Sequence, residues 1–219
     1  MNAPQPARSA PQPIILQGRY TRLEPLGHQH AADLHAASVG DGVPERYRWL
    51  FEHPPQTEAD VHAWIDRVLL LDDQSWVAVV DEASGHAVGR QAWLRIFPDH
   101  ASIEIGGVYW GPAMARSRVA TEALFLFARH AFDDLGYRRF EWKCNALNLP
   151  SKAAAERFGF QYEGQFRKDR IFKGQSRDTD WYSMIDDEWP ALRTEYERWL
   201  NPENFDADGV QKSKLAMRG

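Results

Sequence analysis

The sequence predicts an α+β domain built on a mixed β-sheet. Three strand patterns follow one another closely before residue 112, and short connections are typical of antiparallel neighbours. A strand–helix–strand unit then lies in the middle of the chain, and parallel neighbours need such a crossover. We therefore expect a mixed, twisted sheet of about seven strands flanked by helices. One domain is expected to cover residues 15–203.

The individual elements follow from hydrophobic periodicity and from turn residues. Residues 18–26 alternate as a strand, and a turn at 83–85 joins the next two strands. In the helix predicted over 56–73, apolar residues recur on one side. The predicted strands are 18–26, 75–82, 87–97, 100–111, 138–146, 160–166 and 178–186, and the predicted helices are 27–38, 44–51, 56–73, 117–135, 150–159 and 188–200.

Composition narrows the range of functions. The formal net charge of −5 argues against a general nucleic-acid binder. The only cysteine, Cys144, permits neither an intramolecular disulfide nor a multi-thiolate zinc site, which suits a reducing cytosol. No apolar run approaches the roughly 20 residues of a membrane span, and the N-terminus lacks the apolar core of a signal peptide. We expect a cytoplasmic protein without metal, with a flexible Pro-rich arm at 1–14 and a loosely ordered tail at 204–219.

The helix pattern over 117–135 has the features of a central element. Ser117 is a suitable N-cap and Gly136 a suitable C-terminal stop. The first amides of this helix therefore lack internal partners, and the positive end of the helix dipole lies behind them. An apolar stripe that would pack on a sheet consists of Ala120, Leu124, Phe127, Ala131 and Leu135.

Two arginines, Arg116 and Arg118, flank the start of this helix. Together with the free amides they predict a phosphate site, with a pyrophosphate as the natural ligand. The alternative is an ordinary solvated basic segment. Positive charge at this end costs about 0.3–1 kcal/mol, which a bound anion would offset.

The strand before this helix is interrupted by glycines. Glu104 alternates with the apolar residues on either side of it, and Gly106–Gly107 follows. Glycine within a strand marks a bulge or a close backbone approach. A bulge would part this strand from its parallel neighbour and leave backbone groups of 108–110 free to bind an extended, amide-bearing ligand. The alternative is a glycine pair required only for packing.

Several short motifs now follow in a characteristic order, and together they resemble the GNAT N-acetyltransferase superfamily. The resemblance is greatest to the branch of ribosomal-protein N-terminal acetyltransferases of RimJ/RimL type, and it covers nearly the whole ordered chain. It implies the GNAT fold, splayed between the fourth and fifth strands, and acetyl-CoA as cosubstrate. The motifs are ATEA at 120–123, Asn148 with Ser151, RFGF at 157–160, EG at 163–164, RDT at 177–179 and EWP at 188–190.

The resemblance also implies a set of cofactor-binding residues. The family pattern Q/R-x-x-G-x-G/A aligns with 115–120, where Ala115 replaces the leading residue and Arg118 the central glycine. A helical backbone at Arg118 needs no positive φ, so its N–H can still bind phosphate while the side chain turns outward. The predicted cofactor-binding residues are Val108, Tyr109, Trp110, Arg116, Ser117, Arg118, Val119, Ala120, Thr121 and Asn148.

The implied reaction is direct attack of a primary amine on the thioester in a ternary complex. Glu104 is the candidate base, with a surface or paired glutamate as the alternative. Ser151 is the candidate acid by its family position, and the alternative is the N-cap of the following helix. A backbone N–H near Val108 and Tyr109 would stabilise the oxyanion. Cys144, within a strand, is expected to be buried and inert.

The acceptor stays open between a protein N-terminus and a small amine such as a polyamine or an antibiotic. A homodimer is possible, and nucleic-acid or membrane partners are not expected. A non-catalytic CoA-binding sensor or scaffold is the alternative function, and transfer of a longer acyl group is a further one. Expected liners of the acceptor pocket are Arg48, Trp49, Trp76, Trp93 and Trp181. The carboxylates able to attract the amine are Glu104, Asp178 and Asp180.

Overall fold

The computed structural model describes residues 5–217. The strands are β1 (Leu16–Gln17), β2 (Thr21–Pro25), β3 (Ser75–Asp81), β4 (Ala87–Phe97), β5 (Ser102–Trp110), β6 (Arg139–Asn145), β7 (Gln161–Phe172) and β8 (Gln175–Ile185). The α-helices are α1 (Ala31–Ala36), α2 (Val43–Tyr47), α3 (Glu58–Leu69), α4 (Arg118–Arg129), α5 (Leu149–Arg157) and α6 (Trp189–Leu200). No helix within the described residues has the length and apolar character needed to cross a membrane.

The strands form one eight-stranded sheet in the order β1-β2-β3-β4-β5-β6-β8-β7. β5 and β6 are parallel, and the other neighbours within residues 5–217 are antiparallel. The predicted α+β class and mixed sheet are confirmed. The strand beyond the expected seven arises because Leu16 and Gln17 pair with Leu23 and Arg22. A segment of two residues is too short to show an alternating pattern.

Helix α4 packs on one face of the sheet and supplies much of the core. Its apolar stripe is buried as predicted, and the Phe127 ring stacks on Trp93 with 3.7 Å between ring centroids. Trp93 is therefore a core residue, and its expected place in the acceptor pocket is wrong. The regular helix ends at Arg129, and a wider π-type turn, His130–Asp134, carries the chain on to the predicted glycine stop.

Helices α1 and α3 cover the opposite face of the first strands. α3 begins after Thr57, whose hydroxyl accepts a hydrogen bond from the N–H of Asp60 at 3.3 Å. The apolar side predicted for this helix is buried against the sheet. This second cluster includes Leu34, Val61, Trp64, Ile65, Val68, Ala78 and Val80.

The residues before β1 and after α6 both contact the domain. The N–H of Arg8 donates to the carbonyl of Leu135 at 2.8 Å. At the other end, Phe205 is buried and meets the Trp199 ring edge-on with 5.1 Å between centroids. The flexibility expected for the two ends stays a prediction, and their outermost positions lie outside the described residues.

Candidate active site

The parallel strands β5 and β6 run together only at their beginning. Their ladder starts with Ser102 opposite Arg139 and ends with Ile105 opposite Trp142. Beyond Ile105, β5 continues beside β4 alone, and a cleft opens toward β6. This is the splay that the sequence predicts at the glycine pair.

A β-bulge on the other side of β5 accompanies this splay. Between the pairs that Gly106 and Tyr109 make with β4, two residues of β5 lie opposite one residue of β4. Gly107, the first of these two residues, has a φ of 58°. Residues other than glycine rarely adopt this left-handed backbone conformation. A Cβ atom on Gly107 would also overlap the Trp76 ring. The glycine is therefore required both by the backbone and by its neighbour.

A buried arginine on β4 holds the bulge in place. Arg90 is 3% exposed, and its Nη1 donates to the carbonyl of Gly107 at 3.0 Å. The same guanidinium pairs with Glu52 and lies 3.9 Å from the centroid of the Trp64 ring. Burial alone would raise the pKa of Glu52, but the charge and hydrogen bond of Arg90 hold that pKa below its usual value. The segment between α2 and α3 is thus tied to the bulge.

The cleft between the parted strands has a volume of about 1150 Å³. Its walls come from β5, β6, β8, the start of α5 and the segment 42–52. The predicted site residues form two groups. One group, 116–121, lies at the start of α4. The other group lines the cleft and consists of Glu104, Val108, Tyr109, Trp110, Asn148 and Ser151.

The side chains at the end of β5 are held by the protein itself. The Tyr109 hydroxyl donates to the carbonyl of Ala37 at 2.6 Å, and its ring packs on Tyr47. The Trp110 indole N–H donates to the side-chain oxygen of Gln91 at 3.0 Å. Tyr109 therefore offers mainly its backbone to the cleft.

The start of α4 keeps two amides free. The Ser117 hydroxyl accepts from the N–H of Ala120 at 3.4 Å, which confirms the predicted N-cap. The N–H groups of Arg118 and Val119 have no acceptor within residues 5–217. Arg116 precedes them with a φ of 57° and an exposed side chain. The corner combines free amides, the positive end of a helix dipole and an adjacent cation.

The side chain of Arg118 is held away from its own amide by aromatic contacts. Its guanidinium carbon lies 4.4 Å from the Tyr20 ring centroid and 5.5 Å from that of Phe205. Contacts of this kind contribute about 0.5–1 kcal/mol at exposed sites. An arginine at the position of the family glycine therefore has a packing role in this chain.

Two polar side chains of α4, those of Thr121 and Glu122, bind other parts of the protein. Thr121 is fully buried, and its hydroxyl accepts hydrogen bonds from Arg157 at 3.2 Å. The buried carboxylate of Glu122 accepts from the backbone N–H groups of 19–21. These two residues of the ATEA motif join α4 to α5 and to the turn before β2. Their side chains are not presented at the start of the helix.

The start of α5 corrects one expectation. The side-chain oxygen of Asn148 accepts from the N–H of Ser151 at 3.2 Å, so the N-cap of this helix is Asn148 and not Ser151. The helix begins earlier than predicted because a proline is well tolerated in a first turn. The Ser151 hydroxyl accepts from the indole N–H of Trp142 at 3.0 Å. Cys144 is buried as expected, and burial raises the pKa of its thiol.

Glu104 lies in the cleft within a cluster of charges. Its Oε2 accepts from Lys143 Nζ at 2.6 Å and lies 3.8 Å from Arg95 Nε. Its Oε1 lies 3.4 Å from the position that a Cβ atom would take on Gly106, along the strand toward the bulge. Burial raises the pKa of the Glu104 carboxyl, and the charge of Lys143 offsets this only in part. Within residues 5–217, no group of His, Cys, Asp or Glu side chains is arranged to hold a metal ion.

Comparison with known families decides what this geometry belongs to. A family model described as "Acetyltransferase (GNAT) domain" matches residues 21–161, more than half of the chain. This chain belongs to the GNAT acetyltransferase family. GNAT domains use acetyl-CoA as cosubstrate, and the chain is accordingly an N-acetyltransferase.

Solved structures of this family share the fold over almost the whole chain. A GCN5-related N-acetyltransferase from Brucella melitensis is 50% identical, with a TM-score of 0.94, and the match covers 97% of this chain and 96% of that one. An acetyltransferase from Salmonella typhimurium that modifies the N-terminal serine of 50S ribosomal subunit protein L7/L12 is 18% identical, with a TM-score of 0.68 over 78% of this chain and 99% of that one. The second likeness shows the fold alone.

One curated relative is a much longer protein. The RNA polymerase-associated protein RapA from Pseudomonas fluorescens is 28% identical over 153 residues. The match covers 63% of this chain and 16% of RapA. This GNAT chain therefore spans about a sixth of the length of that relative.

Some of the residues that were expected around the acceptor line the cleft. Trp49, Trp76 and Trp181 line it. Asp178 accepts hydrogen bonds from the side chain of Gln165 and from a backbone N–H of β7, whereas Asp180 is buried and pairs with a lysine of α5. Of the three carboxylates that were expected, Glu104 is the one that lines the cleft.

The hairpin of β7 and β8 contacts the segment after α2. The hairpin extends further along the chain than the sequence predicted. Its outer part was missed because it is exposed and polar and lacks an apolar alternation. At its tip, Lys173 Nζ donates to the carbonyls of Tyr47 and Glu52 at 3.0 and 3.2 Å. The rings of Phe51 and Phe172 meet edge-on beside these bonds. These contacts join the hairpin to the segment after α2.

Three charged residues of the site were not found by sequence reasoning: Arg90, Lys143 and Arg177. Arg90 lies within a strand that is otherwise mostly apolar, and a charge in such a strand is a signal of pairing or function. Lys143 lies in β6, which contains further charged residues and gives no such signal. Arg177 was noted only as part of the RDT motif. The sequence does not show that Arg90 pairs with Glu52 or that Lys143 pairs with Glu104, since the partners are distant in the chain.

Proposed function

We propose that this protein transfers the acetyl group of acetyl-CoA to a primary amine by direct attack in a ternary complex, as in the RimJ/RimL-type branch. The observation that carries the proposal is the cleft between β5 and β6, which opens at the bulge, together with the free amides at the start of α4. A β-bulge frees backbone groups for an extended ligand, and a helix start binds phosphate.

The residues present fit the coenzyme. The free N–H groups of Arg118 and Val119 bind the pyrophosphate, and the exposed side chain of Arg116 adds charge. The backbone of Val108 and Tyr109 lies beyond the end of the β5–β6 ladder and binds the amide-bearing arm, whereas the Trp110 carbonyl already accepts from Arg46 Nη1 at 3.0 Å. When bound, acetyl-CoA supplies an activated acetyl thioester.

Glu104 accepts the proton of the attacking amine. Its raised pKa brings it closer to the pH at which a base works efficiently, and its Oε1 is not the oxygen bound by Lys143. A free α-amine, with a pKa of about 8, needs less help than a lysine at about 10.4. The Ser151 hydroxyl lines the same cleft and is the proton donor for the leaving thiolate. A backbone N–H of Val108 or Tyr109 stabilises the charge that develops on the carbonyl oxygen.

The proposed function is tested by an acceptor screen at fixed acetyl-CoA. Free thiol release is measured with free amino acids, peptides, polyamines and aminoglycosides, and thermal shift is measured with CoA alone. We expect stabilisation by CoA and thiol release that depends on the amine. Stabilisation without release for any amine would instead support the CoA-binding sensor.

Glutamine at position 104 is expected to change the pH profile. The carboxylate form is the active base, so kcat/KM of the native protein should fall as the pH drops through a pKa raised above 4.5. In Glu104→Gln this acid limb should disappear, and kcat should fall roughly 100-fold, since general bases contribute about 10²–10⁴. The measurement is kcat/KM from pH 4 to 9, corrected at each pH for the fraction of neutral acceptor amine.

The matched control is Glu141→Gln. Glu141 also binds Lys143, at 2.9 Å. Burial alone would raise the pKa of Glu141, but hydrogen bonds from Arg139 and Lys143 hold it below its usual value. This variant should keep the acid limb. An acid limb that persists in Glu104→Gln would exclude Glu104 as the base.

A further inference from the structure

The wall that β8 contributes to the cleft contains a cation without a counter-ion. Arg177 lines the cleft, and within residues 5–217 no carboxylate pairs with it. Its buried Nε has no hydrogen-bond partner. The guanidinium carbon lies 5.6 Å from the ring centroids of both Phe51 and Phe172. The rings fix the guanidinium but satisfy none of its N–H groups.

Two other cations of the cleft differ from Arg177 because they lie near carboxylates. Lys143 binds Glu104, and Arg170 lies 3.5 Å from Asp169. Burying a charged group without a partner is costly, and unpartnered buried polar atoms are rare in native proteins. Burial lowers the pKa of Arg177, with the charge of Arg170 adding to the effect. A ligand that brings an anion would remove this cost.

Two more unpartnered groups lie on the same face of β8. Residues at i, i+2 and i+4 of a strand point to one side, so Arg177, Thr179 and Trp181 face the cleft together. Thr179 is 2% exposed, and its hydroxyl has no partner, like the indole N–H of Trp181. Asp180 Oδ1 is also unpartnered, but this residue points to the other side and its second oxygen binds Lys152. The face toward the cleft thus presents potential hydrogen-bond donors.

The opposite charge needed for an amine lies in the same cleft. Glu104 is close enough to Arg177 to act on its pKa, and its Oε1 is directed along β5 toward the bulge. Glu104 pairs with Lys143 through Oε2, so its Oε1 is the carboxylate oxygen left for an amine, whereas Arg177 supplies a cation without a counter-ion among the described residues. A polyamine or an aminoglycoside would bring a further cation against Arg177 and gain nothing from it.

We infer that the acceptor is a primary amine that also carries a carboxylate, held by Arg177, Thr179 and Trp181 while its amine lies at Glu104. This inference rests on the proposed function and specifies its substrate class. An arginine binds a carboxylate through two parallel N–H···O bonds, which fixes the orientation of the acceptor. The carboxylate can belong to a free amino acid or to an acidic residue near a peptide N-terminus.

The test compares acceptors that differ only in that carboxylate. One arm uses free amino acids against their amides, and the other uses C-terminally amidated peptides with Asp or Asn at the second position. kcat/KM is corrected for the fraction of neutral amine. The native protein should prefer the carboxylate at least tenfold in one arm, and that arm identifies the source. In Arg177→Gln the preference should vanish, while Arg177→Lys should keep part of it.

The control variant is Arg170→Gln, which removes a cation from the same cleft and should leave the preference unchanged. Equal transfer to acid and amide by the native protein, or a preference that survives in Arg177→Gln, would overturn the inference while the proposed function stands. Binding of the same pairs, followed by tryptophan fluorescence, gives a readout without turnover. Equal affinity for acid and amide there would also overturn it. The absence of amine-dependent thiol release with every acceptor would instead overturn the proposed function.

Discussion

Replacing Arg90 with methionine is expected to lower the free energy of unfolding by about 3 kcal/mol, since breaking one side of a buried ion pair costs about 3–5 kcal/mol. The lower end applies because the side chain of Glu52 remains 24% exposed. The variant leaves that carboxylate without its partner and removes the hydrogen bond to Gly107. Denaturant unfolding measures the first effect. We also expect kcat/KM to fall at least tenfold, because the bulge loses its support.

The double variant Arg90→Met with Glu52→Leu separates the two effects. It no longer leaves a buried charge unpaired, so most of the stability should return. Activity should stay low, because the carbonyl of Gly107 still lacks its donor. If the double variant regained full activity, Arg90 would be important for stability alone and not for the geometry of the bulge.

Replacing Gly107 with alanine is expected to reduce kcat/KM roughly 100-fold, the scale that a misplacement of about 1 Å can cause. A non-glycine residue in the left-handed region costs about 1–2 kcal/mol, and the new Cβ atom would also overlap the Trp76 ring. The strand must move at the point where it parts from β6. Steady-state kinetics together with CoA binding would measure the effect.

Gly85→Ala is the matched control for this change. Gly85 lies in the turn between β3 and β4 with a φ of 74°, and a Cβ atom there would meet nothing within 4 Å. This variant has a similar backbone cost without the overlap and lies outside the cleft. We expect a modest loss of stability and unchanged kinetics. A similar loss of activity in both variants would indicate a general effect of destabilisation.

Lys173 connects the residues that hold the bulge to the hairpin that contains Arg177. It joins the β7–β8 hairpin to the segment that contains Glu52, and Glu52 in turn holds Arg90 beneath the bulge. The same hairpin contains Arg177. The hairpin that contains Arg177 and the bulge of β5 are therefore connected through a short series of contacts. Changes at Arg90 should affect KM for the acceptor as well as for acetyl-CoA.

Several features of this protein follow from local sequence. The stripe of α4, the cap at Ser117 and the interruption at Gly106–Gly107 were all predicted, because periodicity, capping and backbone freedom involve residues close in the chain. The order of the short motifs resembles that of the GNAT family, and the family model confirms this resemblance. The N-cap at Asn148 was missed because two nearby residues were both able to cap.

Tertiary structure alone decided which charges meet. Glu104 and Lys143 lie on different strands, and their contact depends on the register of β5 against β6. Arg90 meets the Gly107 carbonyl because β4 and β5 are neighbours in the sheet and the bulge lies beside Arg90. Among the described residues, the Nε of Arg177 has no partner, and this side chain lines the open cleft. Side-chain contacts between distant segments are set by register and packing, which leave no periodic signal in the sequence. The fold was therefore predictable from local patterns, whereas the partners of each charged residue in the site were not.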